Sequence, residues 1–140
     1  MERMVGIDFG TKRVGLAVSD PLGVFAFALN TVLTTEVINY LQAYILIQPV
    51  SRFVVGYPKN LDNTPSKNAQ YVDLFVKQLQ KKFPNIPVSL EDERFTSKMA
   101  FQSMIDGGLK RMQRRDRSTI DRVSAALILQ GYLDAQRNLV

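Results

Sequence analysis

The stretch VGIDFGTKRVGLAVSD, residues 5–20, limits the fold more than any other part of the chain. Val5, Ile7 and Phe9 alternate with Gly6 and Asp8. After GTKR, Val14, Leu16 and Val18 alternate with Gly15, Ala17 and Ser19. A period of two, bounded by a Gly-containing break, predicts two strands joined by a tight connection. One face of this hairpin is apolar; the other holds small residues and one carboxylate, Asp8. DPLG at 20–23 has Asp, Pro and Gly at the first, second and fourth positions of a turn. VFAFALNTVL then supplies a third strand and completes a meander.

The pattern then changes. Val37, Ile38, Leu41, Tyr44 and Ile45 fall at helical spacing within 35–47. RFVVGYP at 52–58 is a continuous β-branched run stopped by Pro58, the mark of a buried, parallel strand. The polar stretch KNLDNTPSKN ends in Thr64–Pro65, a helix-start signal. The helix expected from there to about Phe83 would bury Val72, Phe75, Val76, Leu79 and Phe83. VSLEDER reads as a short strand, Thr96 or Ser97 as the cap of a helix ending at DGG, and about Thr119 to Ala135 as a last helix. The expected fold is α/β: a mixed five-stranded sheet, antiparallel first and parallel later, flanked by helices. At 140 residues, 46% of them apolar, a single domain over 1–140 is expected. In such sheets ligands lie outside the carboxyl ends of the strands.

The chain has no cysteine and no histidine. Disulfides, Cys/His zinc sites and His- or Cys-based catalysis are thereby excluded. A bound metal would be a hard cation such as magnesium or manganese, held by oxygen. The net charge is +5, and residues 110–117 alone carry five cations against Asp116. That run, Lys110, Arg111, Arg114, Arg115 and Arg117, reads either as a solvated loop or as a clamp on a phosphate backbone. MERMVGID lacks a leader pattern, and VFAFAL and AYILI are too short to span a bilayer. A cytoplasmic protein without a membrane partner is expected.

Three carboxylates stand out: Asp8 in the first strand, Glu93 at the end of VSLEDER, and Asp121 at the start of the last helix. Convergence of the three would repel unless a divalent cation neutralised them. A metal pair could there activate water and stabilise the leaving oxygen of a phosphodiester. Plainer readings exist for each. Asp8 suits a solvated strand face, and STID reads as a capping box, with Ser118 as N-cap and Asp121 reaching back. EDER suits a charged strand end, where alternation puts Glu91 and Glu93 on one face and Asp92 on the other.

Four segments in order, GIDFGTKRVGLAVSD, VVGYPKNLD, EDERFTS and IDRVSAALILQGYL, resemble the YqgF/RuvX-type Holliday junction resolvases, also described as pre-16S rRNA nucleases. The resemblance covers essentially the whole chain. It implies an RNase H-like, RuvC-like fold and a divalent-metal nuclease acting on structured nucleic acid. Maturation of the 5′ end of the small-subunit rRNA is the favoured role, which would bring the ribosome in as a partner; resolution of Holliday junctions is the alternative. The family's acids fall on Asp8, Glu93 and Asp121. Thr11, Lys12, Arg13, Arg94, Thr96 and Ser97 sit beside them, where phosphate contacts are expected, and Lys59 and Asn60 would line the same cleft. Tyr57 and Lys59 replace leucines common in the family, a departure that bears on substrate preference. Two other functions compete. DFGTKRVG is also similar to the phosphate loop of the actin and sugar-kinase superfamily, whose two-domain clamp exceeds this length. A non-catalytic nucleic-acid-binding module would bind without regard to magnesium. The sequence leaves RNA versus DNA and the number of subunits open.

Overall fold

The computed structural model describes residues 1–59, 66–92 and 116–138. The alternating N-terminal sequence forms β1 (Arg3–Phe9) and β2 (Arg13–Ser19), paired antiparallel with Ile7 opposite Leu16 and Asp8 opposite Gly15. β3 (Ala26–Leu33) adds antiparallel to the outer edge of β2. The turn between them is the one DPLG predicts: the Gly23 N–H donates to the Asp20 carbonyl at 3.1 Å. The Asp20 carboxylate accepts from the N–H groups of Val24 and Phe25 at 2.7 and 2.8 Å.

These bonds favour the ionised form, with the Phe25 N–H the largest cause, and hold the Asp20 carboxyl below its ordinary value of 3.8. A lowered folded-state value means the turn's contribution is complete above about pH 4. It is lost as pH falls through the lowered value. Asp20→Asn is expected to flatten the acid limb of stability; urea midpoints from pH 7 to pH 2 measure it.

After a 3-10 turn at Thr34–Glu36, α1 (Val37–Ile47) leads to β4 (Val50–Tyr57), which pairs parallel to β1. α2 (Ala69–Lys82) leads to β5 (Val88–Asp92), parallel to β4, and α3 (Arg117–Asn138) closes the described chain. The sheet order is β3-β2-β1-β4-β5, so the first strand is central and the meander precedes the parallel half, as the sequence pattern requires.

The two faces are built differently. Val5, Ile7, Leu16, Phe53 and Val55 are fully buried against α1 and α2, with Val37, Leu41, Val72, Phe75 and Leu79 packed on them. The opposite face carries Ala17 and Val54 and receives Ala125, Ile128, Leu129 and Leu133 of α3. Small residues there let the helix lie close. Among the described residues no helix is long and apolar enough to cross a membrane.

Two helix starts differ from expectation. α2 begins at Ala69 with Asn68 as its N-cap, later than Thr64–Pro65, which lie outside the described residues along with the helix expected after Thr96 or Ser97. α3 is capped by Asp116 and not by Ser118. The Asp116 carboxylate accepts from the N–H and hydroxyl of Ser118 at 3.0 and 2.8 Å, and its carbonyl accepts from the Ile120 N–H. Asp116 outcompetes Ser118 because an ionised acceptor at a helix N-terminus also meets the dipole.

Candidate active site

Asp8 is half-buried at the carboxyl end of the central strand, on the α3 face. Its cross-strand partner, Gly15, lies directly under the second turn of α3: a Cβ at Gly15 would fall 1.9 Å from the Asp121 carbonyl oxygen. The main chain of α3 therefore rests on the main chain of β2. Gly6, one step back on β1, faces the next turns in the same way, 2.7 Å from the Leu129 Cβ and 2.8 Å from the Ala125 carbonyl oxygen. Ile7 pairs with Val55, which sets Asp8 level with Gly56 on its other side. Asp8 thus stands between two glycines, one of which, Gly15, is covered by the main chain of α3.

The same contact brings Asp121 over the Asp8–Gly15 pair. Asp121 is tied down by Arg13, whose Nε donates to Oδ2 at 2.9 Å. Arg13 starts β2 two residues before Gly15 and so shares its face. The Thr31 hydroxyl donates to the Ser118 carbonyl, fixing the start of the helix to β3 as well. The role expected for Asp121 in a capping box is thus filled by a cross-element ion pair. Both partners keep partial exposure, 33% and 22% of their side chains. Solvent therefore discounts the pair, and a double-mutant cycle of Arg13→Gln with Asp121→Asn is expected to give a coupling of about 0.5–1 kcal/mol.

The alternation expected at EDER is seen: Glu91 is half-buried and Asp92 exposed. Glu91 pairs with Gly56 and reaches α3, its Oε1 lying 3.5 Å from where a Gly131 Cβ would be. Burial, and secondarily the Asp92 charge, pushes the Glu91 carboxyl above its ordinary value. Glu93 lies outside the described residues, as do Asn60, Arg94, Thr96, Ser97, Lys110, Arg111, Arg114 and Arg115. Of the remaining basic candidates, Lys12, Lys59 and Arg117 are exposed, and Thr11 lies at the surface of the turn after Asp8. That turn is pinned from the 3-10 turn after β3: the Thr34 hydroxyl donates to the Gly10 carbonyl at 2.6 Å and its N–H to the Lys12 carbonyl at 3.0 Å.

The site's chemistry follows from these donors. Asp8 and Asp121 offer hard carboxylate oxygens and no nitrogen or sulfur, which suits a divalent cation of the magnesium or manganese kind. Ser124, one turn after Asp121, is buried at 1% exposure, and its hydroxyl finds no partner among the described residues. Among the described residues no three acidic side chains gather into a metal cluster. Sequence reasoning missed three parts of this arrangement: Arg13 as the partner of Asp121, Asp116 as the cap, and the glycines as spacers. The signal for the last was present, since Gly6, Gly15 and Gly56 recur on one strand face.

A family model described as "RuvX: Holliday junction resolvase" matches residues 2–135. Among similar chains, one from Christiangramia forsetii is 50% identical over 133 residues, covering 95% of this chain and 98% of its own; it is named "Putative pre-16S rRNA nuclease". One of the same name from Bacteroides thetaiotaomicron is 44% identical over 137 residues, covering 98% and 99%. Among solved structures, T. thermophilus RuvC in complex with a Holliday junction substrate superposes with a TM-score of 0.57 at 17% identity, covering 98% of this chain and 96% of that one. At that identity the likeness speaks for the fold, which is the RNase H-like fold expected.

Proposed function

The chain belongs to the RuvX Holliday junction resolvase family and is a nuclease, and on that footing we propose that it hydrolyses the phosphodiester bonds that bound the 5′ end of pre-16S rRNA. Asp8 and Asp121, joined by Glu93, would hold magnesium or manganese. When bound, such a cation supplies Lewis acidity at the phosphate and lowers the pKa of water.

The chain's own residues do the rest. Arg13 donates to Oδ2 of Asp121 and so orients that carboxylate. Gly15, beside Asp8, lets the main chain of α3 come close enough to bring Asp121 toward that carboxylate. Lys12 and Lys59, exposed at the same end of the sheet, would hold the backbone on either side, with the basic run at 110–117 adding to them. Binding should then weaken steeply with salt. A role in rRNA maturation puts the protein in the cytoplasm, with the ribosome precursor as its partner.

The observation that most supports this reading is the main-chain contact at Gly15, which brings Asp121 near the strand pair that carries Asp8. The test incubates the protein with a pre-16S fragment bearing its 5′ extension and, separately, with a four-way DNA junction, each with and without manganese. Shortening of the RNA only when manganese is present is the expected result. Cutting of the junction with the RNA left intact would replace the rRNA role with resolution of branched DNA, and cutting of neither would overturn the proposal.

A further inference from the structure

On the far side of the Gly10–Thr11 turn, away from α3, the surface opens into three adjoining hollows of about 670, 360 and 230 Å³. Tyr71, in the first turn of α2, lines all three. The 360 Å³ hollow has an aromatic floor, Phe9 stacked on Phe75 with ring centroids 4.5 Å apart. Its walls are Tyr71 and Leu74, with Thr11 and Gln78 offering polar edges. Tyr71 and Leu74 are 44% and 63% exposed, a large apolar presentation beside a helix start.

Charge and position say what fits there. The Ser66 N–H donates to the Pro58 carbonyl at 3.2 Å, setting the chain at Lys67 beside that at Lys59; both lysines are exposed, as is Lys12, which follows Thr11 in the chain. α2 has no acidic residue in its first turn to offset the positive end of its dipole. Asp73 is the acid among the described lining residues, and it accepts from the Tyr57 hydroxyl at 3.3 Å. A flat apolar slot with polar edges and a cationic rim suits a nucleobase with its phosphates outside. Its near wall, Thr11, follows Asp8 by three residues, at most about 10 Å along the chain.

We propose that this groove is a nucleobase subsite: an unpaired base of the substrate strand, close to the cleaved phosphate, stacks on Tyr71 and enters the slot between Leu74 and Thr11. The subsite rests on the nuclease reading above, because that reading brings a strand to Asp8. It also assigns the chain a preference for a single-stranded segment beside the cut, since a paired base has no free face to insert.

The experiment measures binding of a single-stranded RNA oligomer carrying 2-aminopurine, and of the same sequence as a duplex, by the full chain in EDTA. Quenching of the aminopurine by the unaltered protein is expected. Tyr71→Ala should abolish the quenching and weaken single-strand binding about tenfold, as loss of one stacked base does. Tyr71→Phe should keep both, and duplex affinity should not change. Alanine suits this exposed helical position, and an unchanged melting temperature verifies the fold. Single-strand affinity and quenching unaffected by Tyr71→Ala, or equal losses on single strand and duplex, would overturn the proposal, the first leaving the groove to a protein partner. Quenching in EDTA together with no cleavage of any RNA once manganese is supplied would instead sink the nuclease reading and leave the subsite standing.

Discussion

Gly15→Ala is expected to destabilise the protein by about 3 kcal/mol or more and to abolish cleavage. The added methyl would lie 1.9 Å from the Asp121 carbonyl oxygen, 2.3 Å from its carbonyl carbon and 2.9 Å from the Arg122 nitrogen. None of these is the end of a flexible side chain, so relief requires moving the first turns of α3 off the sheet. Overpacking commonly costs about 1–3 kcal/mol, and a clash with main chain belongs at or above the top of that range. For a chain of this size the melting temperature should fall by about 10 °C. The displacement carries Asp121 away from Asp8 and strains its bond to Arg13, so activity should be lost even below the new transition. Gly131→Ala is the contrasting case. Among the described residues its methyl would meet Glu91 Oε1 at 3.5 Å, an ordinary contact, and alanine is favoured inside a helix by up to about 1 kcal/mol. The same substitution at the two sites should change stability in opposite directions, which thermal melts of the pair would read directly.

Asp8→Asn should leave the fold intact and remove the chemistry. Asparagine has nearly the same shape as aspartate. The amide cannot supply the charge that holds a divalent cation, so the turnover rate is expected to fall by about 10²–10³-fold, the scale seen when one preorganised electrostatic group is removed. RNA affinity measured in EDTA should hold or tighten, because a negative charge beside the phosphate has been removed. A lost rate with retained affinity separates a catalytic acid from one kept for the fold. A non-catalytic binding module would show neither change, and cleavage that survives the substitution removes Asp8 from the mechanism.

Much of this architecture could be read in the amino-acid order because each signal was local. The alternation over 5–20 gives the central hairpin, DPLG its turn, and RFVVGYP the parallel strand, which the structure extends to Val50–Tyr57. The helix starts were harder, since several capping residues compete within a few positions. Asp116, Ser118 and Thr119 all qualify by type at α3, and only the geometry selects Asp116. The site was legible as a set of acids and not as an arrangement. Whether Asp121 capped its own helix or met another element depended on how closely α3 approaches β2, and that is governed by the absence of a side chain at Gly15. Arg13 illustrates the same limit. Its place in GTKR suggested phosphate contact, yet its partner, Asp121, lies 108 residues away in sequence. Tyr71 gave no signal at all, being one exposed aromatic on an amphipathic helix.

Manganese titrated into the ¹⁵N-labelled protein, followed by loss of amide signals in NMR spectra, interrogates the site without depending on any substrate. The paramagnetic ion erases resonances around its binding place. Amides of Asp8, Gly15 and Asp121 should vanish first, while those of Asp20, Asp73 and Asp134, carboxylates elsewhere on the surface, persist to higher concentration. Signals disappearing first around those other carboxylates, or uniformly along the chain, would contradict a cation site built from acids meeting above Gly15.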